Sequence, residues 1–121
     1  MAHMARRIDQ PAAQRVVVTG LGVVSPIGLT TTDVWDALMA GRSGTGPITR
    51  FDAAGFETRI AGEVRDFDPV PRLGRKEAKR TDRYVQFAVA AALDALEAAR
   101  LSITDANAAR SGVLIGSAMG G

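Results

Sequence analysis

The chain has 121 residues, of which 46% are hydrophobic and 23% are charged; this size and composition predict one globular domain with its own core. No apolar run reaches the ~20 residues that a membrane-spanning helix needs. The chain contains no cysteine, which excludes a disulfide framework and a thiolate nucleophile within these residues. These features favour a cytoplasmic protein without a membrane partner.

The net charge of +2 conceals one strongly basic stretch. Residues 72–83, RLGRKEAKRTDR, contain six of the 15 basic residues and two acidic ones, which leaves a local charge of +4. Because the positive charge is concentrated here, the pattern differs from the broad basic surface of a general nucleic-acid binder. It predicts a local docking site or a solvated charged face, and no nucleic-acid partner.

The first part of the chain predicts a lead, a strand and a turn. Residues 1–14 lack periodicity and predict a disordered lead, whose MAHM start resembles an expression-vector remnant. His3 lies in this lead and has no expected catalytic or metal-binding role. The valine-rich stretch 15–24 predicts a buried strand, and residues 25–28, Ser-Pro-Ile-Gly, predict a turn.

A short helix is predicted next. Thr30 with Asp33 three residues later resembles a capping box, and Gly41 is a typical helix stop. The apolar stripe between them predicts the buried face of the helix, with Trp35 in the core. The stripe consists of Val34, Trp35, Leu38 and Met39.

The middle of the chain predicts loops, one short strand and one long helix. Glycines and prolines make residues 42–55 loop-rich and residues 66–74 irregular, whereas residues 59–64, RIAGEV, predict a strand. The long helix is predicted from about residue 76 or 81 to residue 100. Its alanine-rich face predicts close packing against a neighbouring backbone.

The last part predicts a final turn and a second hydrophobic strand. Thr104 or Asp105 can cap the turn, and residues 111–117, SGVLIGS, predict the strand. The order β-α-(β)-α-β predicts an α/β fold with a mostly parallel, buried sheet. Since the chain stops at Gly121, just after a core strand, residues 15–121 are expected to be the opening portion of a larger α/β domain.

The pair Gly20 and Gly22 after a run of valines resembles a dinucleotide-binding fingerprint. That fingerprint requires a third small residue at which a helix begins over the phosphates. Here Ser25 takes that place, and Pro26 and Gly28 delay the helix. The glycines are therefore better explained by close packing or a bulge in a buried strand. A dinucleotide-binding oxidoreductase remains the alternative from another functional class.

Five stretches of the chain, taken in order, carry a family resemblance. They are VVVTGLGVVSPIG, VWDALMAGRSG, ITRFDAAGFETRIAGEV, RKEAKRTDRYVQFAVAAALDAL and GVLIGSAMGG. Together they resemble the bacterial β-ketoacyl-acyl carrier protein synthases, above all the type II condensing enzymes of fatty acid synthesis. The resemblance covers residues 15–121.

The resemblance implies a thiolase-like layered fold (α-β-α-β-α) in which this chain supplies the opening part of the N-terminal half. It implies a cytoplasmic homodimer that condenses a malonyl thioester on acyl carrier protein with an acyl chain held on a cysteine. The catalytic cysteine and two histidines are expected beyond Gly121, and neither a cofactor nor a metal is expected. The fragment alone is therefore expected to be inactive.

The resemblance also assigns a docking site to the basic stretch. The family's carrier-binding positions correspond to Lys76, Lys79 and Arg80, and Arg75 and Arg83 are weaker candidates. Spacings of three and four place the first three on one helical face, and their charge complements an acidic carrier. Without the resemblance, a solvated charged face is the better reading.

The second implied site is Met119, which corresponds to a position that lines the acyl pocket and affects chain length. Methionine is flexible and polarizable, so it can move for a growing chain. A plain core or turn residue is the simpler interpretation without the resemblance. Ala118 stands where the family often has glycine.

Two further functions stay open. One is a ketosynthase or a chain-length partner of a polyketide assembly, which only sequence past Gly121 separates from a fatty acid enzyme. The other is a stand-alone module that binds an acidic carrier.

Overall fold

The computed structural model describes residues 15–119, so the expected lead at 1–14 and the last two glycines lie outside the described residues. The elements are α1 (Thr31–Met39), β1 (Thr45–Pro47), β2 (Ile60–Gly62), α2 (Val70–Ala78), α3 (Arg83–Ala98) and α4 (Asp105–Ala108). Helices and strands both occur, which confirms a mixed α/β chain. No helix within residues 15–119 is long and apolar enough to cross a membrane.

Helix α1 begins and ends where its local sequence predicts. The Thr30 hydroxyl accepts a hydrogen bond from the Asp33 backbone N–H at 3.1 Å, and the Asp33 carboxylate accepts one from that hydroxyl at 2.7 Å. At the other end Gly41 has φ 63°, and the Arg42 N–H donates to the Ala37 carbonyl at 2.8 Å. This is the glycine-terminated end that closes many helices, so the predicted stop at Gly41 is confirmed.

The apolar stripe of α1 is not the buried face of this chain, so the prediction of Trp35 in the core is wrong here. Trp35 is 61% exposed, whereas Ala37 is fully buried. Residues 21–23 lie beside Trp35, and they leave most of the indole ring uncovered. A large apolar surface therefore remains open on α1.

Strands β1 and β2 form an antiparallel pair in which Gly46 lies opposite Ala61. The Ile48 N–H extends the pair by donating to the Arg59 carbonyl at 3.0 Å. Strand β2 falls inside the predicted strand 59–64, but β1 lies in a stretch predicted to be loop. Its Thr-Gly-Pro sequence has weak strand propensity, and pairing with β2 determines its conformation.

The Glu63 carboxylate holds the loop after β1. It accepts hydrogen bonds from the Thr49 hydroxyl at 2.7 Å, the Thr49 N–H at 2.9 Å and the Arg50 N–H at 3.2 Å. These bonds, with the Thr49 hydroxyl contributing most, lower the pKa of Glu63 below its ordinary value. The resulting stabilisation is present above the pKa of the unfolded carboxyl and is lost as the pH falls through the lowered pKa.

The two hydrophobic stretches predicted to be strands, 15–24 and 111–117, form no strand within the described residues. The predicted parallel, buried sheet is therefore absent from residues 15–119, where the paired strands are antiparallel. Val16 is 96% and Leu114 100% exposed. A strand exists only through hydrogen bonds to a neighbouring strand, and neither stretch has such a neighbour in this part of the chain.

Helix α2 lies partly in the stretch predicted to be irregular. Proline is compatible with a first helical turn, and Pro71 lies in the first turn of α2. The Asp68 carboxylate accepts a hydrogen bond from the Val70 N–H at 2.9 Å. Gly74, with φ 77° and ψ 158°, interrupts the helix. The predicted long helix corresponds to α3, which begins close to the later of its two predicted starts, whereas residues 76–78 belong to α2.

The glycine pair packs directly on the backbone of α3. A Cβ added to Gly22 would overlap the Ala91 carbonyl oxygen and lie 2.7 Å from the Ala95 nitrogen. A Cβ added to Gly20 would overlap the Ala95 carbonyl oxygen and lie 2.6 Å from the Ala99 nitrogen. The predicted close packing of the alanine-rich helix against a backbone is confirmed, and Gly20 and Gly22 provide that backbone.

Helix α3 ends on a non-glycine residue with left-handed backbone. Arg100 has φ 51°, and the Leu101 N–H donates to the Leu96 carbonyl at 3.0 Å. Next, the Thr104 N–H and the Asn107 side chain complete a capping box for α4, so the predicted cap at Thr104 is confirmed.

The end of α3 provides a stability prediction. Arg100→Gly is expected to raise the free energy of unfolding of the intact protein by about 1 kcal/mol, because glycine adopts the left-handed conformation without a steric cost. The urea midpoint should rise with an unchanged slope. Arg100→Ala is the control and should bring no gain. A lower midpoint for the glycine variant would contradict the prediction.

Candidate functional site

The predicted basic site lies where α2 ends. Lys76 is in the last turn of α2, Lys79 is the C-cap residue with helical φ −84° and ψ −17°, and Arg80 follows. The Arg80 and Thr81 N–H groups both donate to the Glu77 carbonyl at 3.0 Å. The chain therefore stays wound through this stretch, so the i, i+3 and i+4 spacing keeps the three basic residues on one side.

The three side chains are exposed and uncompensated. Lys76, Lys79 and Arg80 are all exposed, and within residues 15–119 none of them forms an ion pair with an acidic side chain. Adjacent like charges without local partners raise the potential of this surface. We call the segment 76–81 the basic turn.

Two other arginines of the basic stretch, Arg72 and Arg83, contact other parts of the chain. Arg72 on α2 forms an ion pair with Asp94 and a second one with Glu97 at 3.2 Å, both on α3. Asp94 is partly buried, and its Oδ1 accepts no well-directed hydrogen bond from the described residues. Arg72 therefore joins α2 to α3, and its charge is compensated by these two carboxylates.

Arg83, a weaker docking candidate, is also held internally, which removes it from the docking set. Its Nη2 donates to the Val64 carbonyl at 2.9 Å. Its guanidinium lies 5.0 Å from the Phe87 ring centroid and 5.7 Å from that of Phe67, within cation–π range. Burial, with a smaller contribution from nearby Arg50, lowers the pKa of Arg83. Arg75, the other weaker candidate, is exposed.

One glutamine joins the end of α2 to the start of α3. Gln86 is 8% exposed and is the buried polar residue of the described chain. Its Nε2 donates to the Ala78 and Thr81 carbonyls, each at 2.9 Å. Sequence reasoning missed Gln86, although it is the sole amide or charged side chain in residues 84–93, YVQFAVAAAL.

The glycine pair does not form a phosphate site. Gly20 and Gly22 are in contact with the α3 backbone, and α1 begins only at Thr31. The Ser25 N–H donates to the Gly28 carbonyl at 2.9 Å, and this turn separates the glycines from the helix. A phosphate at the glycines would therefore find no helix N-terminus beside it.

Met119 lies at the end of the described chain. Its side chain is 85% exposed, and the Ser117 hydroxyl donates to its carbonyl at 2.8 Å. Met119 and the basic turn belong to different elements, and no described contact brings them together. Within residues 15–119 no three His, Asp or Glu side chains gather as a metal site would require.

This arrangement can recognise an acidic surface but holds no thiolate nucleophile, because the chain has no cysteine. A family model described as "Beta-ketoacyl synthase, N-terminal domain" matches residues 13–121. The chain belongs to the beta-ketoacyl synthase family.

The beta-ketoacyl synthase domain has curated relatives of high identity. It is 56% identical over 108 residues to 3-oxoacyl-[acyl-carrier-protein] synthase 2 of Coxiella burnetii and 56% identical to that of Synechocystis. The protein of the same name in Vibrio harveyi is 48% identical. Each match covers 89% of this chain and 26% of the relative, so the chain spans about a quarter of the length of these relatives.

A solved structure also resembles this beta-ketoacyl synthase domain. It is titled "The ishigamide ketosynthase/chain length factor" and aligns with a TM-score of 0.65 and 44% identity. The alignment covers 71% of this chain and 21% of that structure. The resemblance therefore extends to the arrangement of the backbone.

Proposed function

We propose that the intact protein is a β-ketoacyl-acyl carrier protein synthase of fatty acid synthesis. The observation that carries the proposal is the family match over residues 13–121, together with 56% identity to a synthase of that name. In the proposed reaction an enzyme cysteine holds the acyl chain as a thioester. Loss of CO2 from the malonyl thioester leaves an enolate carbon, which bonds to the acyl carbonyl carbon and displaces the cysteine thiolate.

The domain described here contributes carrier docking to this reaction. Lys76, Lys79 and Arg80 are proposed to contact the acidic surface of acyl carrier protein. Their exposure and their lack of acidic partners among the described residues support this role. Charge complementarity of this kind accelerates and orients association.

The complete protein is proposed to adopt the thiolase-like α-β-α-β-α stack and to act as a cytoplasmic homodimer. In that stack the stretches 15–24 and 111–117 become strands of one sheet. Their large exposed apolar side chains support this, because such surface is normally covered. The nucleophile and the groups that stabilise the enolate are proposed to lie outside residues 1–121.

The proposed activity is tested by incubating the intact protein with acyl-carrier and malonyl-carrier thioesters. The expected products are one 3-oxoacyl-carrier and one CO2 per turnover, measured by mass spectrometry and by CO2 release. Iodoacetamide, which alkylates thiolates, should abolish formation of the 3-oxoacyl product, because the acyl chain can no longer be held on the cysteine. Absence of 3-oxoacyl product under these conditions would contradict the proposal.

A polyketide ketosynthase or chain-length partner is the second candidate, favoured by the resemblance to the ishigamide protein. The same assay distinguishes it. A polyketide enzyme would extend its own 3-oxo product to longer poly-β-keto chains, and a chain-length partner would condense nothing until a second protein is added.

Met119 is proposed to line the acyl pocket, and its exposed side chain in this domain is available for such a role. Met119→Phe in the intact enzyme is expected to lower kcat/KM for long acyl chains by about tenfold or more, since a rigid ring shortens the space. Short chains should be unaffected.

Competition assays with acyl chains of different length measure this effect. Met119→Leu is the matched control, because leucine is similar in volume to methionine, and it should keep the original preference. An unchanged chain-length profile in the phenylalanine variant would contradict the pocket role.

A further inference from the structure

We infer that Gln86 is a positioning residue that sets the conformation of the basic turn for carrier docking. The inference rests on the proposed function, since it assumes that the basic turn binds a carrier. It concerns a residue that carries no charge and is 92% removed from solvent, as its 8% exposure shows.

The geometry places Gln86 directly behind the basic turn. The two carbonyls that accept its hydrogen bonds, those of Ala78 and Thr81, flank Lys79 and Arg80 in the chain. Both amide hydrogens of Gln86 are thus used on the backbone that carries the two exposed cations. The side chain originates from the first turns of α3, a rigid element that packs on α2.

The basic turn needs such a support because its own sequence provides little. At the end of α2 the Glu77 carbonyl accepts the Arg80 and Thr81 N–H groups, whereas the Ala78 carbonyl accepts the Gln86 side chain. No glycine occurs between residues 75 and 83 to close the helix in the usual way. Lys79 and Arg80 are adjacent like charges without acidic partners in the described chain. Their repulsion favours an open turn, which the two Gln86 bonds oppose.

A further hydrogen bond stabilises the same turn from within. The Thr81 hydroxyl donates to the Glu77 carbonyl at 2.7 Å. This bond fixes the winding of the turn, whereas the Gln86 bonds attach the turn to α3. The Arg72 ion pairs also join α2 to α3, but the Gln86 bonds attach the backbone on either side of Lys79 and Arg80 itself.

A purely structural role would affect every activity of the enzyme. A positioning role of Gln86 predicts a narrower effect. Only substrates delivered by a protein carrier should be affected, since only these use the basic turn. The informative variants are Gln86→Met, which keeps the length and removes both donors, and Gln86→Glu, which presents a carboxylate to two carbonyl oxygens.

The experiment compares malonyl-carrier with malonyl-pantetheine as substrates of the intact synthase. Gln86→Met is expected to raise the KM for malonyl-carrier about three- to tenfold, the scale of one or two lost hydrogen bonds. The kcat and the KM for malonyl-pantetheine should stay at the original values. Gln86→Glu should produce the larger increase, and amide hydrogen exchange in residues 79–82 should accelerate in both variants.

The salt dependence of the KM for malonyl-carrier distinguishes a positioning role of Gln86 from a loss of positive charge on the basic turn. Both Gln86 variants keep every cation, so the KM for malonyl-carrier should retain a salt dependence that charge reversal at Lys76 and Arg80 would flatten. Thr30→Ala is the control for general destabilisation, because it removes the cap of α1 without touching the basic turn. It should leave the KM for malonyl-carrier unchanged.

The outcomes are distinguishable. If Gln86→Met raises the KM for both substrates, or for neither, positioning by Gln86 is overturned while the proposed function stands. If the original protein condenses neither substrate, the proposed function is wrong and the docking role of Gln86 is overturned with it.

Discussion

Gly22→Ala is expected to be the most destabilising single methyl addition in the described chain. The added Cβ would overlap the Ala91 carbonyl oxygen and approach the Ala95 nitrogen at 2.7 Å. Backbone atoms of a helix cannot move aside as a side-chain tip can, so residues 15–24 must separate from α3. A loss of about 3 kcal/mol or more is expected.

Urea unfolding of the intact protein measures this loss, and Gly55→Ala is the matched control. Nothing lies within 4 Å of a Cβ at Gly55, and its φ is not in the left-handed region. The control should change stability by no more than about 0.5 kcal/mol. Equal midpoints for the two alanine variants would contradict the close packing of Gly22 on α3.

The second large effect is expected from reversing charge on the basic turn. Lys76→Glu combined with Arg80→Glu should raise the KM for carrier-bound substrate by about tenfold or more, because two attractive contacts become repulsive. The salt dependence of that KM should flatten as well, since fewer charges are neutralised on docking. Steady-state kinetics from low to high ionic strength measure both effects.

A control with the same change in net charge tests whether the rise in KM depends on where the reversed charges lie. Arg42→Glu combined with Arg110→Glu reverses two exposed cations outside the basic turn. The KM for carrier-bound substrate should change little, and the KM for a pantetheine thioester should be unaffected in both double variants. An unchanged carrier KM in the Lys76 and Arg80 variant would refute docking at this site.

Local signals in the sequence were sufficient for the ends of several elements. The cap at Thr30, the stop at Gly41 and the cap at Thr104 each depend on a side chain or φ value within a few residues. The family resemblance was equally readable, because it rests on five ordered stretches of sequence. The family match over residues 13–121 confirms it.

The glycine pair, Gly20 and Gly22, shows how much can be predicted from neighbouring residues in the sequence. Ser25, Pro26 and Gly28 already argued against a phosphate site, since they delay the helix. That Gly20 and Gly22 pack on α3 was predicted only in general form, as close packing in a buried strand. Their contacts with Ala91, Ala95 and Ala99 follow from how two distant segments pack.

By itself, the amino-acid sequence determined the family, the helix caps and the local charge of +4 in residues 72–83. The tertiary structure alone decided that α2 and α3 are separate helices, that Arg72 and Arg83 contact distant parts of the chain, and that Gln86 supports Lys79 and Arg80. It also decided that Trp35 and the stretches 15–24 and 111–117 stay exposed in this chain. The physical reason is common to all of these: hydrogen bonds, ion pairs and burial depend on a partner far away in sequence, whereas caps, turns and charge are set by near neighbours.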